Sequence, residues 1–241
     1  MAERRINGVF FDLGWTLETP ASGSWMFTNR FFESVPKERF YAIPDAVRTA
    51  AEKEASRVLY EHHYTETLEE ENRKFTAYFE TLNRLLSLGL TNAEIDVIAQ
   101  DHTYNFQNYV LFDSTIPTLK TLKEHGYTVG VISDTWPSTV PQQKEAGVYD
   151  YYDFLVLSFE LGVLKPDPRM YETALEQMGL PAEQTVYIDD LTMSLDKAKT
   201  FGINGICSIA EDPSRIVEDY PCVRHPGEVI DVIKAMNGGL L

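Results

Sequence analysis

Four short segments of the chain are apolar from end to end, and each runs into residues that can do chemistry. Gly8-Val9-Phe10-Phe11 leads to Asp12, and Thr128-Val129-Gly130-Val131-Ile132 leads to Ser133 and Asp134. Phe154-Leu155-Val156-Leu157 reaches Ser158, and Val186-Tyr187-Ile188 reaches the pair Asp189-Asp190. A strand with one wet face alternates apolar and polar residues. These runs do not, so they fit strands buried on both faces, as in a parallel sheet. Helically spaced stretches lie between them. Ile116 to His125 stops at Gly126, Asp167 to Met178 at Gly179, and Leu195 to Phe201 at Gly202, each glycine being a plausible C-cap. The expected fold class is α/β, a doubly wound parallel sheet with a Rossmann-like core. Ligands of such sheets gather at the carboxyl ends of the strands, where the acidic residues fall.

Residues 22–110 break this rhythm and contain no convincing strand. Pro44 to His62 reads as one helix and Glu66 to Leu88 as a second, ending near Gly89. Thr91-Asn92-Ala93-Glu94 is a capping box that opens a third. Tyr104 to Val110 is expected to return the chain to the core. The expected organisation is a core of residues 1–20 and 111–241 with a helical cap domain, 21–110, inserted after the first strand. Linkers on both sides would let a cap open and close over the reaction. The charge runs Ala51 to Arg57 and Glu69 to Lys74 read as solvated helix faces.

The charge balance narrows the partners. Against 37 acidic residues stand 21 basic ones in 241, a formal net charge of −16, which repels phosphate backbones and anionic membrane surfaces. Cys207 and Cys222 are too few for a disulfide framework and lack zinc-ligand spacing, so they read as ordinary buried or loop cysteines. No run approaches the length of a membrane helix, and Met1 to Arg5 leads straight into a strand without a secretory apolar region. The expectation is a soluble cytoplasmic protein, monomer or homodimer, that takes a small molecule and neither nucleic acid nor membrane.

Each chemical signal is weak alone, since strand-end Asp, Ser-Asp-Thr and Lys-Pro also serve as turns and caps. The set is stronger: a carboxylate, a small hydroxyl, a lysine and an acidic pair, each at or just past a strand end. Adjacent carboxylates repel, and a cation between them explains their pairing. Phe10-Phe11-Asp12-Leu13-Gly14-Trp15-Thr16-Leu17 resembles motif one of the haloacid dehalogenase (HAD) superfamily, and Val131-Ile132-Ser133-Asp134 its motif two. Gly162-Val163-Leu164-Lys165-Pro166-Asp167-Pro168 is similar to motif three of the capped subfamily I. Val186-Tyr187-Ile188-Asp189-Asp190, followed by Ala198 and Gly202-Ile203, resembles motif four, and the helical insertion falls where a C1 cap belongs.

The resemblance implies a hydrolase, with a phosphatase favoured, in which Asp12 becomes an aspartyl phosphate that water then cleaves. It implies Mg²⁺, held by the Asp12 carboxylate, the Gly14 carbonyl and Asp190, with Asp189 holding ligand waters. Ser133 would donate to a phosphoryl oxygen, and Lys165 would orient Asp12 and stabilise developing charge. Thr16, Trp15 and Asp134 complete the expected substrate contacts. Trp25, Trp136 and His62-His63-Tyr64 are further candidates, set against simple packing for the tryptophans and helix-end capping or solvation for the histidines.

Two positions depart from the family pattern. Gly14 stands where motif one usually carries a second Asp, the general acid for the leaving group. Asp-Leu-Gly also occurs in relatives described as sugar phosphatases, so the missing acid does not by itself mean inactivity, and a sugar phosphate is one expected substrate. Either the leaving group is good or a cap residue or water supplies its proton. Ser194 replaces a frequent Asn of motif four and would weaken the second metal shell. The alternatives are a phospho-ligand-binding regulatory protein without turnover, a haloacid dehalogenase and a signalling receiver domain. Dehalogenases need no metal, so the Asp189-Asp190 pair argues against that reading. Receivers carry their acidic pair first in the chain, whereas here it comes last.

Overall fold

The computed structural model describes residues 5–241, so most of the Met1 to Arg5 stretch lies outside the described residues. The strands are β1 (Gly8–Phe11), β2 (Glu18–Pro20), β3 (Tyr109–Leu111), β4 (Thr128–Ser133), β5 (Phe154–Leu157), β6 (Thr185–Asp189), β7 (Asn204–Ser208) and β8 (Cys222–Val223). Six of them form one sheet in the order β5-β4-β1-β6-β7-β8 with every neighbouring pair parallel. The four strands expected from sequence lie side by side as β5-β4-β1-β6, with β5 at the edge, and β1, β4 and β6 are largely apolar because they are buried almost along their length. Gly130 shows how closely β4 meets β5: a Cβ there would lie 2.5 Å from the Phe154 ring.

The helices are α1 (Asn29–Ser34), α2 (Lys37–Tyr41), α3 (Asp45–Ala55), α4 (Arg57–Tyr60), α5 (Leu68–Leu86), α6 (Asn92–Tyr104), α7 (Thr115–Glu124), α8 (Thr139–Glu145), α9 (Ser158–Leu161), α10 (Pro168–Met178), α11 (Thr192–Thr200) and α12 (Val229–Met236). The chain divides into two compact units. One comprises Met1–Thr19, Leu111–Thr135 and Gln143–Leu241, and the other Pro20–Val110 and Trp136–Gln142. The first holds the six-stranded sheet. Phe10, Ile132, Tyr171, Tyr187 and Leu195 belong to a buried cluster there, and Asp167 caps α10 with Pro168 in the first turn.

The second unit is helical, around Phe31, Phe40, Phe75, Phe79 and Leu82. The capping box at Thr91 and Glu94 opens α6 as expected. The single helix expected over Pro44 to His62 is instead α3 and α4, broken at Ser56, where the turn tightens and Leu59 N–H bonds Ser56 C=O at 3.0 Å. Tyr109 and Val110 lie in β3, which pairs with β2, although residues 22–110 read as free of strands. The segment Trp136–Gln142, assigned to the core by sequence, groups with this helical unit.

That segment explains a second correction. Glu71 lies in the Glu69 to Lys74 run that read as a solvated face, yet it is fully buried. Its carboxylate accepts from Ser138 N–H at 2.8 Å and from Ser138 Oγ at 2.7 Å. Burial pushes its pKa from 4.5 up to about 7, against the pull of those two bonds. Between those values the folded chain holds a proton that the unfolded chain has released, so this group's contribution to stability declines as pH rises. Glu71→Gln, whose amide can satisfy Ser138 without a charge, should therefore gain on the wild type in urea denaturation as pH rises from about 5 to about 8. Glu71→Ala strands the Ser138 N–H and should cost about 1–3 kcal/mol. A Gln variant less stable than wild type at the higher pH would contradict this account.

Candidate active site

Asp12 follows β1, Ser133 ends β4, Asp189 ends β6, and Asp190 comes next in the chain. Parallel neighbours deliver all of these to the same edge of the sheet. Lys165 arrives from the loop between α9 and α10, and its Nζ lies 2.8 Å from Asp12 Oδ1 and 2.7 Å from Asp189 Oδ2. The Ser133 hydroxyl donates to Asp12. The carboxylates of Asp12, Asp189 and Asp190 offer oxygens that all lie within 4.8 Å of one another.

Burial sets the electrostatics. It pushes Asp12 from 3.8 up to about 6, with Asp189 adding to the rise while Lys165 and Ser133 oppose it. Burial likewise pushes Asp190 up to about 8, helped by Asp12 and Asp189 and opposed by Lys165. Burial alone would lower Lys165. Asp12, Asp189 and Asp134 outweigh it and hold the amine well above the usual lysine range, so it is an ammonium ion. Carboxylates that hold protons this strongly lack positive charge. An all-oxygen donor set with that deficit suits a hard divalent cation such as Mg²⁺.

The remaining expected residues have distinct places. The Asp134 carboxylate accepts the Lys165 backbone N–H at 2.9 Å, bracing the loop that carries the lysine. Thr16 is buried, and its hydroxyl has no hydrogen-bond partner among the described residues. Gly14 forms an isolated bridge with Glu18. Trp15 sits at φ 51°, uncommon for a non-glycine residue, with its N–H on Glu18 C=O at 2.8 Å and its carbonyl held by Ser208 Oγ at 2.6 Å. Trp25 stacks on Tyr109, with centroids 5.6 Å apart, and Trp136 packs edge-on against His63 at 4.7 Å and Phe75 at 5.4 Å within the helical unit. His63 is buried and hydrogen-bonds the Leu59 carbonyl, capping the short helix before it, while His62 and Tyr64 are exposed. Cys207 is buried in β7 and Cys222 half-buried in β8, both free thiols.

Sequence reasoning missed Tyr187, and it set Ser158 at a strand end without giving it a role. The phenol oxygen of Tyr187 is 3.1 Å from Lys165 Nζ and is also hydrogen-bonded to Asp189. Ser158 Oγ accepts Thr135 N–H at 2.8 Å, tying the loop after β4 to the end of β5. Strand alternation was a usable signal for Tyr187, because residues two apart on β6 share a face and Asp189 lies on it.

A parallel sheet with a carboxylate after its first strand, a lysine bonded to that carboxylate and an acidic pair after a neighbouring strand defines a hydrolase of the haloacid dehalogenase type. The family model for haloacid dehalogenase-like hydrolases matches residues 8–193, and the chain belongs to that family. Among curated proteins it is 27% identical over 241 residues to a glyceraldehyde 3-phosphate phosphatase of Methanocaldococcus jannaschii, covering 95% of this chain and 97% of that one. It is 33% identical over 118 residues to the GMP/IMP nucleotidase YrfG of Escherichia coli, covering 48% of this chain and 53% of that one. The solved L-2-haloacid dehalogenase of Xanthobacter autotrophicus superposes with a TM-score of 0.66 at 17% identity, covering 96% and 99% of the two chains. A HAD phosphatase from Thermococcus onnurineus gives 0.57 at 18%, covering 95% and 98%. At those identities the structural likeness speaks for the fold. No helix among the described residues is long and apolar enough to cross a membrane.

Proposed function

We propose that this hydrolase is a magnesium-dependent phosphatase of small phosphorylated metabolites, sugar phosphates among them, that works through an aspartyl phosphate at Asp12. The observation that carries this reading is the contact of Lys165 with Asp12 beside a further acidic pair, a set suited to charge-rich phosphoryl chemistry. The phosphatase and nucleotidase activities named for its relatives point the same way. The −16 charge favours a small-molecule partner over nucleic acid or membrane, and we read the protein as a cytoplasmic monomer or homodimer.

The Asp12 carboxylate, the Gly14 carbonyl and Asp190 would hold magnesium, whose positive charge would offset repulsion between nucleophile and phosphate. The Asp12 carboxylate attacks phosphorus, an Asp12–phosphoryl bond forms, and the bond from phosphorus to the leaving oxygen breaks. Water then attacks phosphorus, releasing inorganic phosphate and restoring the carboxylate. Lys165 keeps an Asp12 oxygen in place and shares the charge that builds on the transferring group. The Thr16 hydroxyl, unpartnered among the described residues, donates to a phosphoryl oxygen, and the Ser133 hydroxyl turns from Asp12 to another when the phosphoryl group arrives. With Gly14 in place of an acid, the leaving oxygen takes its proton from water or leaves without one, which favours good leaving groups.

A panel of phosphorylated metabolites with magnesium, read as inorganic phosphate release and run beside Asp12→Asn, tests the reading. Equal release by the two proteins would favour a binding module, and chelator-insensitive halide release from 2-haloacids would replace phosphatase with dehalogenase. The acid–base state of the site gives a second check. Asp190 and Asp12 hold protons up to about 8 and about 6 in the metal-free protein, so a cation must displace them at low pH. Millimolar magnesium should raise the melting temperature by about 2–8 °C near pH 8.5 and by much less near pH 5. An equal rise at both pH values would speak against these carboxylates as the ligands.

A further inference from the structure

The last two strands of the sheet carry the two cysteines of the chain, Cys207 on β7 and Cys222 on β8, and the two are direct register partners in a parallel pair. Neighbouring strands run about 4.8 Å apart, inside the roughly 4.4–6.8 Å that a disulfide spans between its Cα atoms. Register partners project to the same face, and Cys222 packs against the buried cluster that contains Cys207. Both are free thiols. Cys207 Sγ lies 3.9 Å from the Asp190 carbonyl oxygen and Cys222 Sγ 3.5 Å from that of Tyr220, weak contacts that cost little to give up. The pair adjoins the site. On its other side Cys207 is the register partner of Asp189. The segment between the cysteines also anchors two backbone carbonyls there: Ser208 Oγ donates to Trp15 C=O at 2.6 Å, and Arg215 Nη1 donates to Asp190 C=O at 2.7 Å.

We propose that Cys207 and Cys222 form a peroxide-sensitive pair that closes to an intramolecular disulfide and, through the segment between them, slows turnover. The pairing rests on strand register and burial, whereas its effect on turnover rests on the phosphatase reading. Cys207 is fully buried and Cys222 half-buried, so hydrogen peroxide reaches Cys222 first. The Cys222 sulfur attacks one peroxide oxygen, the O–O bond breaks, and water leaves with the thiol proton, giving a sulfenic acid. The Cys207 sulfur then attacks the Cys222 sulfur, the S–O bond breaks, and a second water leaves with the Cys207 proton. Two thiols are oxidised by two electrons in all, and one peroxide is reduced to two waters. Burial pushes the Cys207 thiol up to about 11, so the second step is the slow one. Closing the bond draws Cys222 off its carbonyl and β8 toward β7, and the anchors at Ser208 and Arg215 move with their segment. A displacement on the order of 1 Å near reacting groups costs up to about a hundredfold in rate.

The test exposes wild type and Cys222→Ser to hydrogen peroxide for hours, followed by free-thiol titration, peptide mapping by mass spectrometry and phosphate release with magnesium. Wild type should lose both thiols, yield a Cys207–Cys222 linked peptide within one chain, and turn over about tenfold more slowly, with full recovery in dithiothreitol. Methionine sulfoxide is not reduced by that dithiol without its reductase, so recovery isolates the disulfide. Cys222→Ser should start at the wild-type rate and keep both its Cys207 thiol and that rate after peroxide. The proposal is overturned if Cys222 goes on to sulfinic acid while Cys207 stays reduced, if the link joins two chains, or if the disulfide forms with turnover unchanged. A wild type without turnover would sink the phosphatase reading, and the thiol count and the linked peptide would still decide the pairing. Should Cys222→Ser fail to fold, Cys222→Ala takes its place in the same comparison.

Discussion

Asp12→Asn should release phosphate at least about 10³-fold more slowly than wild type under saturating magnesium, because an amide cannot serve as the phosphoryl acceptor. The same substitution should make the metal-free protein more stable. The Asp12 carboxyl ionises at about 6 when folded and near 3.8 when free, so across that interval the folded chain holds a proton the unfolded chain has lost. Wild-type stability therefore falls as pH rises through this range, and the Asn variant escapes that fall. Denaturation in urea with a chelator should show the variant ahead by roughly 1–3 kcal/mol near pH 8 and by less near pH 5. Loss of turnover together with gain of stability marks a group kept for chemistry at the expense of the fold. A variant that is both active and unstable would place the nucleophile elsewhere.

The sheet was legible because burial on both faces leaves no polar residue inside β1 and β4, and so no ambiguity about period, and β5, though half-buried at its start, is apolar as well. At the sheet's edge the signal fades. β7 begins with Asn204 and Gly205, and β8 is the pair Cys222–Val223, too short to read from any pattern. Ser56 interrupts a stretch with no proline or glycine to announce the break, and only the tightened turn before buried Leu59 reveals it. At the site, Asp12, Ser133, Lys165 and the acidic pair were readable because each punctuates an apolar run or a glycine-proline loop. Tyr187 was hidden inside such a run, where a tyrosine looks like core until its hydroxyl meets Lys165 and Asp189. Glu71 was less legible still. Nothing local distinguishes it from its exposed neighbour Glu69, and its burial depends on Ser138, 67 residues further along the chain.

Lys165→Met should be the most damaging single change to the core unit, since it removes the cation that faces Asp12, Asp189 and Asp134. The lysine side chain is 3% exposed and Asp189 fully buried, so solvent offers no replacement. Breaking a buried ion pair from one side costs about 3–5 kcal/mol, because the remaining charges stay desolvated. The loss has a predictable pH dependence. Without the ammonium Asp12 and Asp190 ionise at still higher pH in the folded state, and folding takes up more protons relative to the unfolded chain. Stability of the variant should then fall more steeply than wild type between about pH 5 and about pH 8, and acid should restore much of it. Urea denaturation at the two pH values measures both slopes. Turnover should drop at least about 10²-fold even where the variant is folded, as the charge on the transferring group loses its fixed partner. Lys165→Arg should not restore it, since a planar guanidinium cannot direct three N–H bonds from one nitrogen to Asp12, Asp189 and Tyr187. A methionine variant as stable as wild type at the higher pH would mean that the lysine does not offset buried negative charge in the resting protein, and the charge balance on which the site's chemistry depends would have to be redrawn.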